Sequence, residues 1–152
     1  MLKREKNSPG MNSTNDKFFL DTNILVYSFD STSPSKREVA KDLIKNAHKG
    51  NGCISFQVIQ EFLNVATRKF EVPLKTTDAQ NFLVKVLYPV CEVFPSENLY
   101  FNALDIMERW KFSFYDSLII ASALESECNI LYSEDLQHNQ KIFNVKIVNP
   151  FI

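Results

Sequence analysis

Short apolar runs alternate along the chain with longer segments of helical periodicity. Phe18–Leu20, Cys53-Ile54-Ser55, Val90–Phe94, Ile130-Leu131-Tyr132 and Val145–Val148 have the length and residue types of buried strands. Between them, Ser35 to His48 is rich in Lys, Glu, Ala and Leu, and Ser55 to Lys69 puts Val58, Ile59, Phe62, Leu63, Val65 and Ala66 on one helix face. Thr77 to Leu87 and Ser96 to Trp110 continue the pattern, with Ser96 placed as an N-cap. Ser113 to Glu127 is apolar almost all round from Leu118 to Leu124, which predicts a buried helix. Strands alternating with helices predict one α/β domain, a central parallel sheet with helices on both faces.

Composition narrows the class without changing that picture. A chain of 152 residues suits one domain, since at this size roughly 70% of the unfolded surface is buried. A net charge of −1 supplies no global basic field, so any nucleic-acid contact must rest on local patches. Cys53, Cys91 and Cys128 are odd in number and apolar in context, which predicts reduced, packed thiols in a cytoplasmic protein. No apolar run reaches the length of a membrane span, and the polar N-terminus lacks the apolar stretch of a signal peptide. Residues 1–16 read as a disordered lead-in, with Met11 an alternative start, which leaves residues 17–152 as the domain.

Absences restrict the chemistry. The only glycines are Gly10, Gly50 and Gly52, so neither a phosphate-cradling loop nor a dinucleotide fingerprint can be written. There is no GxSxG elbow, and His48 and His138 do not stand at metal-ligand spacing. Carboxylates remain. Asp21 ends the first strand, Glu61 lies on the border of an apolar helical stripe, Asp116 opens the most apolar helix, and Asp135 follows the strand Ile130–Tyr132. Each has an ordinary structural reading: a turn for Asp21, a solvated flank for Glu61, a capping box with Ser113 for Asp116, the start of a helical turn for Asp135. If strand ends and helix starts converge on one rim, however, the four acids meet. Two such charges about 4 Å apart repel by roughly 4 kcal/mol at an effective dielectric near 20, so the cluster would need cations. Oxygen-only ligands favour Mg²⁺ or Mn²⁺, ions that activate water and stabilise a leaving oxygen in phosphodiester hydrolysis. The hydroxyls of Thr22 and Ser133 and the amide of Asn23 would then orient carboxylates or waters.

Four segments carry a resemblance: FFLDTNILVYSFD, ISFQVIQEFLNVATRKF, FSFYDSLIIASALESECNILYSEDLQ and KIVNPF, together spanning Phe18 to the C-terminus. In this order they resemble the PIN-domain ribonucleases, and within them the VapC-like toxins of type II toxin–antitoxin pairs. The resemblance implies a three-layer α/β/α sandwich, usually dimeric, that cuts RNA and is silenced by a cognate antitoxin. It implies Asp21, Glu61, Asp116 and Asp135 as metal-binding catalytic carboxylates, with Asn23 and Ser133 in support. Glu134 is the competing acid at the last position, and Asp135 is preferred. Substrate contacts are expected from Arg68 and Lys69 after the Glu61 helix and from Lys36, Arg37 and Lys41 after the first strand, each of which is equally well a solvated helix face. Two other readings stand beside the nuclease: a catalytically inactive binding module that keeps the PIN shape as a scaffold, and an aspartyl-phosphate enzyme using Asp21 as nucleophile. The latter lacks a second acid two residues on and a lysine partner.

Overall fold

In the computed structural model, which describes residues 16–152, the first apolar run forms β1 (Phe18–Leu20), buried along its whole length. The expected lead-in, Asp16 apart, and the alternative start at Met11 lie outside the described residues. The chain continues through α1 (Thr22–Tyr27), α2 (Pro34–Asn46), β2 (Gly52–Ser55), α3 (Phe56–Arg68), α4 (Thr76–Phe82), β3 (Cys91–Val93), α5 (Glu97–Trp110), α6 (Phe114–Glu125), β4 (Ile130–Tyr132), β5 (Lys141–Ile142) and β6 (Val145–Val148). These elements form an α/β/α sandwich around a six-stranded sheet of order β3-β2-β1-β4-β6-β5. Every pairing is parallel except β5 with β6.

This strand order decides where a ligand can sit. β1 is central, pairing with β2 on one side (Phe19↔Cys53) and β4 on the other (Phe19↔Leu131). The chain builds outward from β1 through β2 to β3, then returns to β1's other edge with β4. Such a reversal opens a crevice at the carboxyl ends of the strands involved, and here those ends are Asp21 and Ser133.

The core follows the apolar pattern. In α6, Ser117 through Ala123 are buried without a break, as the all-round apolarity predicts. Its buried hydroxyls avoid orphaning by bonding back one turn, Ser117 to Ser113 O and Ser122 to Leu118 O, both at 2.8 Å. Phe62 of α3, Phe70, Phe82 of α4 and Phe29 after α1 form an aromatic cluster with ring centroids 5.1–6.2 Å apart. Both predicted N-caps form: Ser96 accepts from Leu99 N and Ser113 from Asp116 N. Gly52 is required by close approach, because a Cβ there would lie 2.3 Å from the Phe18 ring.

Three features depart from the pattern-based expectation. The residues after Asp21, to which the sequence pattern assigns no element, form the short helix α1. A sixth strand, β5, folds back on β6 through Phe143, whose φ is 51°. The helices expected to run to His48 and Leu87 each end in a wider turn, Ala47–Asn51 with Gly50 at φ 103°, and Leu83–Leu87. All three cysteines are free, and two distant in sequence meet: the buried Cys53 and Cys128 sulfurs lie 3.6 Å apart.

Candidate active site

The first strand ends on a buried acid. Asp21 is only 8% exposed, and its carboxylate is held from two directions. Oδ1 accepts the Thr22 backbone N–H at 2.7 Å, so Asp21 caps α1, while Oδ2 accepts the Ser133 hydroxyl at 2.8 Å. Ser133 can reach because β1 and β4 are adjacent and in register at their ends, where Asp21 N also donates to Tyr132 O at 3.0 Å. The turn reading and the site reading of Asp21 are therefore compatible: one oxygen serves the helix start while the other joins the strand ends.

Asn23 ties the second acid to the first. Its Nδ2 donates to Asp135 Oδ2 at 3.1 Å and reaches Asp21 Oδ2 at 3.4 Å, and its Oδ1 accepts the Glu134 N–H at 3.2 Å. Glu61 arrives from α3, one turn beyond its start. The Thr22 hydroxyl donates to its Oε1 at 2.5 Å and the Gln57 amide to its Oε2 at 3.0 Å. Asp116, at the first turn of α6, makes no side-chain hydrogen bond to the other three acids. The nearest link is indirect, the Gln57 amide donating also to the carbonyl of Tyr115 at 3.2 Å.

Thr22, Asn23, Tyr27, Glu61, Glu134 and Asp135 line an open cleft of about 580 Å³. A cavity of similar size, about 590 Å³, lies between α5 and α6 over Ile106, Trp110, Leu124 and Phe143, and contains none of these acids. Burial pushes the Asp21 carboxyl up to about 6, with the charges of Glu61 and Asp135 adding to the shift and the bonds from Ser133 and Thr22 opposing it.

The PIN-domain family profile matches residues 18–143. The chain belongs to the PIN-domain family. Among curated protein sequences nothing matches significantly. Solved structures share the fold at low identity. A toxin–antitoxin complex from Klebsiella pneumoniae superposes with a TM-score of 0.62 at 20% identity, covering 88% of this chain and 98% of that one. VapC20 of Mycobacterium tuberculosis, a toxin that cleaves the sarcin–ricin loop, gives 0.56 at 17% identity, over 78% and 90%. VapBC2 of Rickettsia felis, bound to a DNA fragment from its promoter, gives 0.56 at 20%, over 86% and 96%.

Within this PIN fold, the predicted residues divide. Asp21, Glu61 and Asp135 come together with Thr22, Asn23 and Ser133; Asp116 stands at the edge. Among the described residues no group of three or more His, Cys, Asp and Glu side chains is arranged closely enough to grip a metal as it stands. The donor set nevertheless suits a hard divalent cation. The four acids offer only oxygen atoms, Asp21 is buried beside two like charges, and none of the four acids is ion-paired with a base among the described residues.

The bases expected to hold substrate are differently placed. Lys36 pairs with Glu134 Oε2 at 2.6 Å, lies near Tyr27 OH at 3.3 Å and sits 4.7 Å from the Tyr27 ring centroid. Glu134 also accepts from Tyr27 OH at 2.6 Å and is held below the usual carboxylate range, chiefly by Lys36. Glu134 is thus neutralised by a base while Asp135 stays exposed in the cleft, a difference that the resemblance, which ranks Asp135 first, does not itself contain. Arg37 and Lys41 line a separate cavity with Ser28, Phe29 and Phe82. Arg68 and Lys69 are exposed at the end of α3.

The sequence reading missed Gln57, buried and bonded to Glu61, and Tyr27, which anchors Glu134. The signal for Gln57 was its i−4 spacing from Glu61 on one helix.

Proposed function

We propose that this PIN domain is an endoribonuclease that hydrolyses RNA phosphodiester bonds with Mg²⁺ or Mn²⁺, and that it is the toxin of a toxin–antitoxin pair. The observation that carries the reading is the convergence of Asp21, Glu61 and Asp135 at the switch-point crevice, each fixed by neutral donors and left without a cationic partner among the described residues. Asp116 completes the ligand set from the start of α6.

A divalent ion held there would lower the pKa of a water and stabilise charge on the leaving oxygen. The chain's own residues supply the rest. Ser133 and the Thr22 amide keep Asp21 oriented, and a bound cation would relieve its buried charge. Thr22 and Gln57 occupy one lone pair on each Glu61 oxygen. Asn23 spans Asp21 and Asp135, which sets their separation. Arg68 and Lys69, free at the surface, give RNA phosphates a local basic contact that the net charge does not. Lys36 is neutralised by Glu134, and its contribution to RNA binding is correspondingly smaller.

The partner is an antitoxin whose amphipathic segment packs on the aromatic wall of Phe29 and Phe70, where a cavity of about 390 Å³ also includes Val26 and Leu74. The toxin itself works as a cytoplasmic homodimer, with the exposed Phe101 of α5 among the apolar residues such an assembly would cover. The chemistry is tested by incubating purified protein with RNA. We expect cleavage with Mg²⁺ or Mn²⁺, none in EDTA, and loss in Asp135→Asn. Undiminished cleavage in EDTA would refute the metal mechanism.

A further inference from the structure

Gln57 is an uncharged residue in a place where an apolar one would pack. It lies one residue into α3, is 3% exposed, and follows Ser55 at the end of a fully buried strand. Its Nε2 donates twice, to Glu61 Oε2 at 3.0 Å and to Tyr115 O at 3.2 Å. Both targets are oxygens that only accept, so the amide cannot be turned over without setting oxygen against oxygen. In the orientation this dictates, Oε1 is buried with no partner among the described residues. An orphaned buried acceptor is destabilising, so Gln57 is poorly explained as a contributor to stability alone.

Its two bonds explain it better. The Glu61 carboxylate is gripped at both ends: Thr22 of α1 holds Oε1, and Gln57 holds Oε2. The second bond from the same amide reaches Tyr115, which directly precedes Asp116. One side chain therefore fixes the rotamer of Glu61 and ties α3 to the first turn of α6, the element that carries Asp116. No other side-chain hydrogen bond among the described residues joins the Asp116 turn to the remaining acids.

We infer that Gln57 is a positioning residue of the carboxylate site, fixing the Glu61 side chain and tying the Asp116-bearing turn of α6 to α3. The inference rests on the metal-site reading above. It assigns Gln57 no contact with substrate. Its effect passes through Glu61 and Asp116, as a supporting amide acts on a metal-ligating carboxylate.

The test measures metal binding and stability apart from cleavage. Gln57→Met keeps the length and apolar packing of the side chain while removing both donors and the orphaned acceptor. Calorimetric Mn²⁺ titration of full-length protein should show affinity falling about 10- to 100-fold, the usual effect of removing a supporting group from a metal ligand. The metal-free melting temperature should be unchanged or higher. In a Glu61→Gln background the same substitution should have a smaller effect on Mn²⁺ affinity, because the part of its action that passes through Glu61 is already lost. Gln57→Leu, examined in parallel, covers the case in which Met does not pack. A variant that melts well below wild type yet binds Mn²⁺ equally well would show a purely structural residue and overturn the inference. Equal losses in the wild-type and Glu61→Gln backgrounds would also overturn it. If wild type itself binds no Mn²⁺, the metal-site reading fails and the inference with it; if only the Gln57 variants behave as wild type, the inference alone fails.

Discussion

Replacing Asp21 by Asn alters one carboxylate and almost no volume, and its effect on stability should change with pH. In the metal-free protein the Asp21 carboxyl is raised from 3.8 to about 6, first by burial and then by Glu61 and Asp135. A group whose folded pKa lies above its unfolded value favours the folded state when protonated. Its favourable contribution is therefore complete below about pH 4 and is lost as pH rises through 6. A shift of about two units corresponds to roughly 3 kcal/mol, so the penalty grows from well under 1 kcal/mol near pH 4 to about 3 kcal/mol near pH 8. Asn carries no such penalty. It keeps an oxygen for the Thr22 N–H but presents an amide to Asn23 Nδ2 and obliges the Ser133 hydroxyl to turn, at a cost of about 1 kcal/mol.

Metal-free wild type and Asp21→Asn should consequently be close in stability at pH 4 to 5 and diverge above pH 6, with the variant the more stable by about 1–2 kcal/mol at pH 8. At roughly 2–4 °C per kcal/mol for a chain of this size, the variant should melt several degrees higher there. The assay is thermal unfolding in EDTA across this pH range, repeated with Mn²⁺. The metal should raise the wild-type curve at high pH and leave the variant almost unmoved, since binding to the native state stabilises by mass action. Parallel wild-type and variant curves at all pH values would refute the claim that Asp21 carries a buried, unrelieved charge. A variant stabilised by Mn²⁺ as much as wild type would refute its place in the metal site.

Glu134→Gln should leave RNA cleavage near wild type, because that acid is engaged by Lys36 and Tyr27, and should cost no more than about 1 kcal/mol for a half-exposed ion pair. Cleavage falling as far as in Asp135→Asn would reverse the assignment. Gly52→Ala should destabilise by about 1–3 kcal/mol, since its Cβ would collide with the Phe18 ring that stacks edge-on against Tyr132 at 5.4 Å. Denaturant unfolding measures this, and an unchanged midpoint would mean that β1 and β2 can separate more easily than their packing implies.

The architecture was legible because its signals are periodic. Five of the six strands are short apolar runs, and α6 is apolar all round because it is buried all round. What stayed hidden depended on groups with no periodic signature. α1 is too short for periodicity to register, and it exists because Asp21 caps it. β5 has two residues and depends on a left-handed Phe143, a conformation unusual for a bulky side chain and not written in its identity.

The site divides along the same line. Asp21, Asn23, Ser133 and Asp135 were readable together because they stand at the ends of two strands that the topology makes neighbours, so placing the strands places the side chains. Glu61 and Asp116 come from helices, whose distance from the strand ends depends on how each helix is docked. Sequence spacing carries no information about docking, and the structure does the joining through one amide that reaches both helices. Gln57 carries no charge and its position looks apolar, so no inspection for chemistry-bearing residues singles it out. Its spacing from Glu61 becomes informative only once Glu61 is taken to matter. A site whose acids are supplied by strands and helices alike therefore needs neutral residues between the layers, and in this chain those are Thr22 and Gln57, one for each oxygen of Glu61.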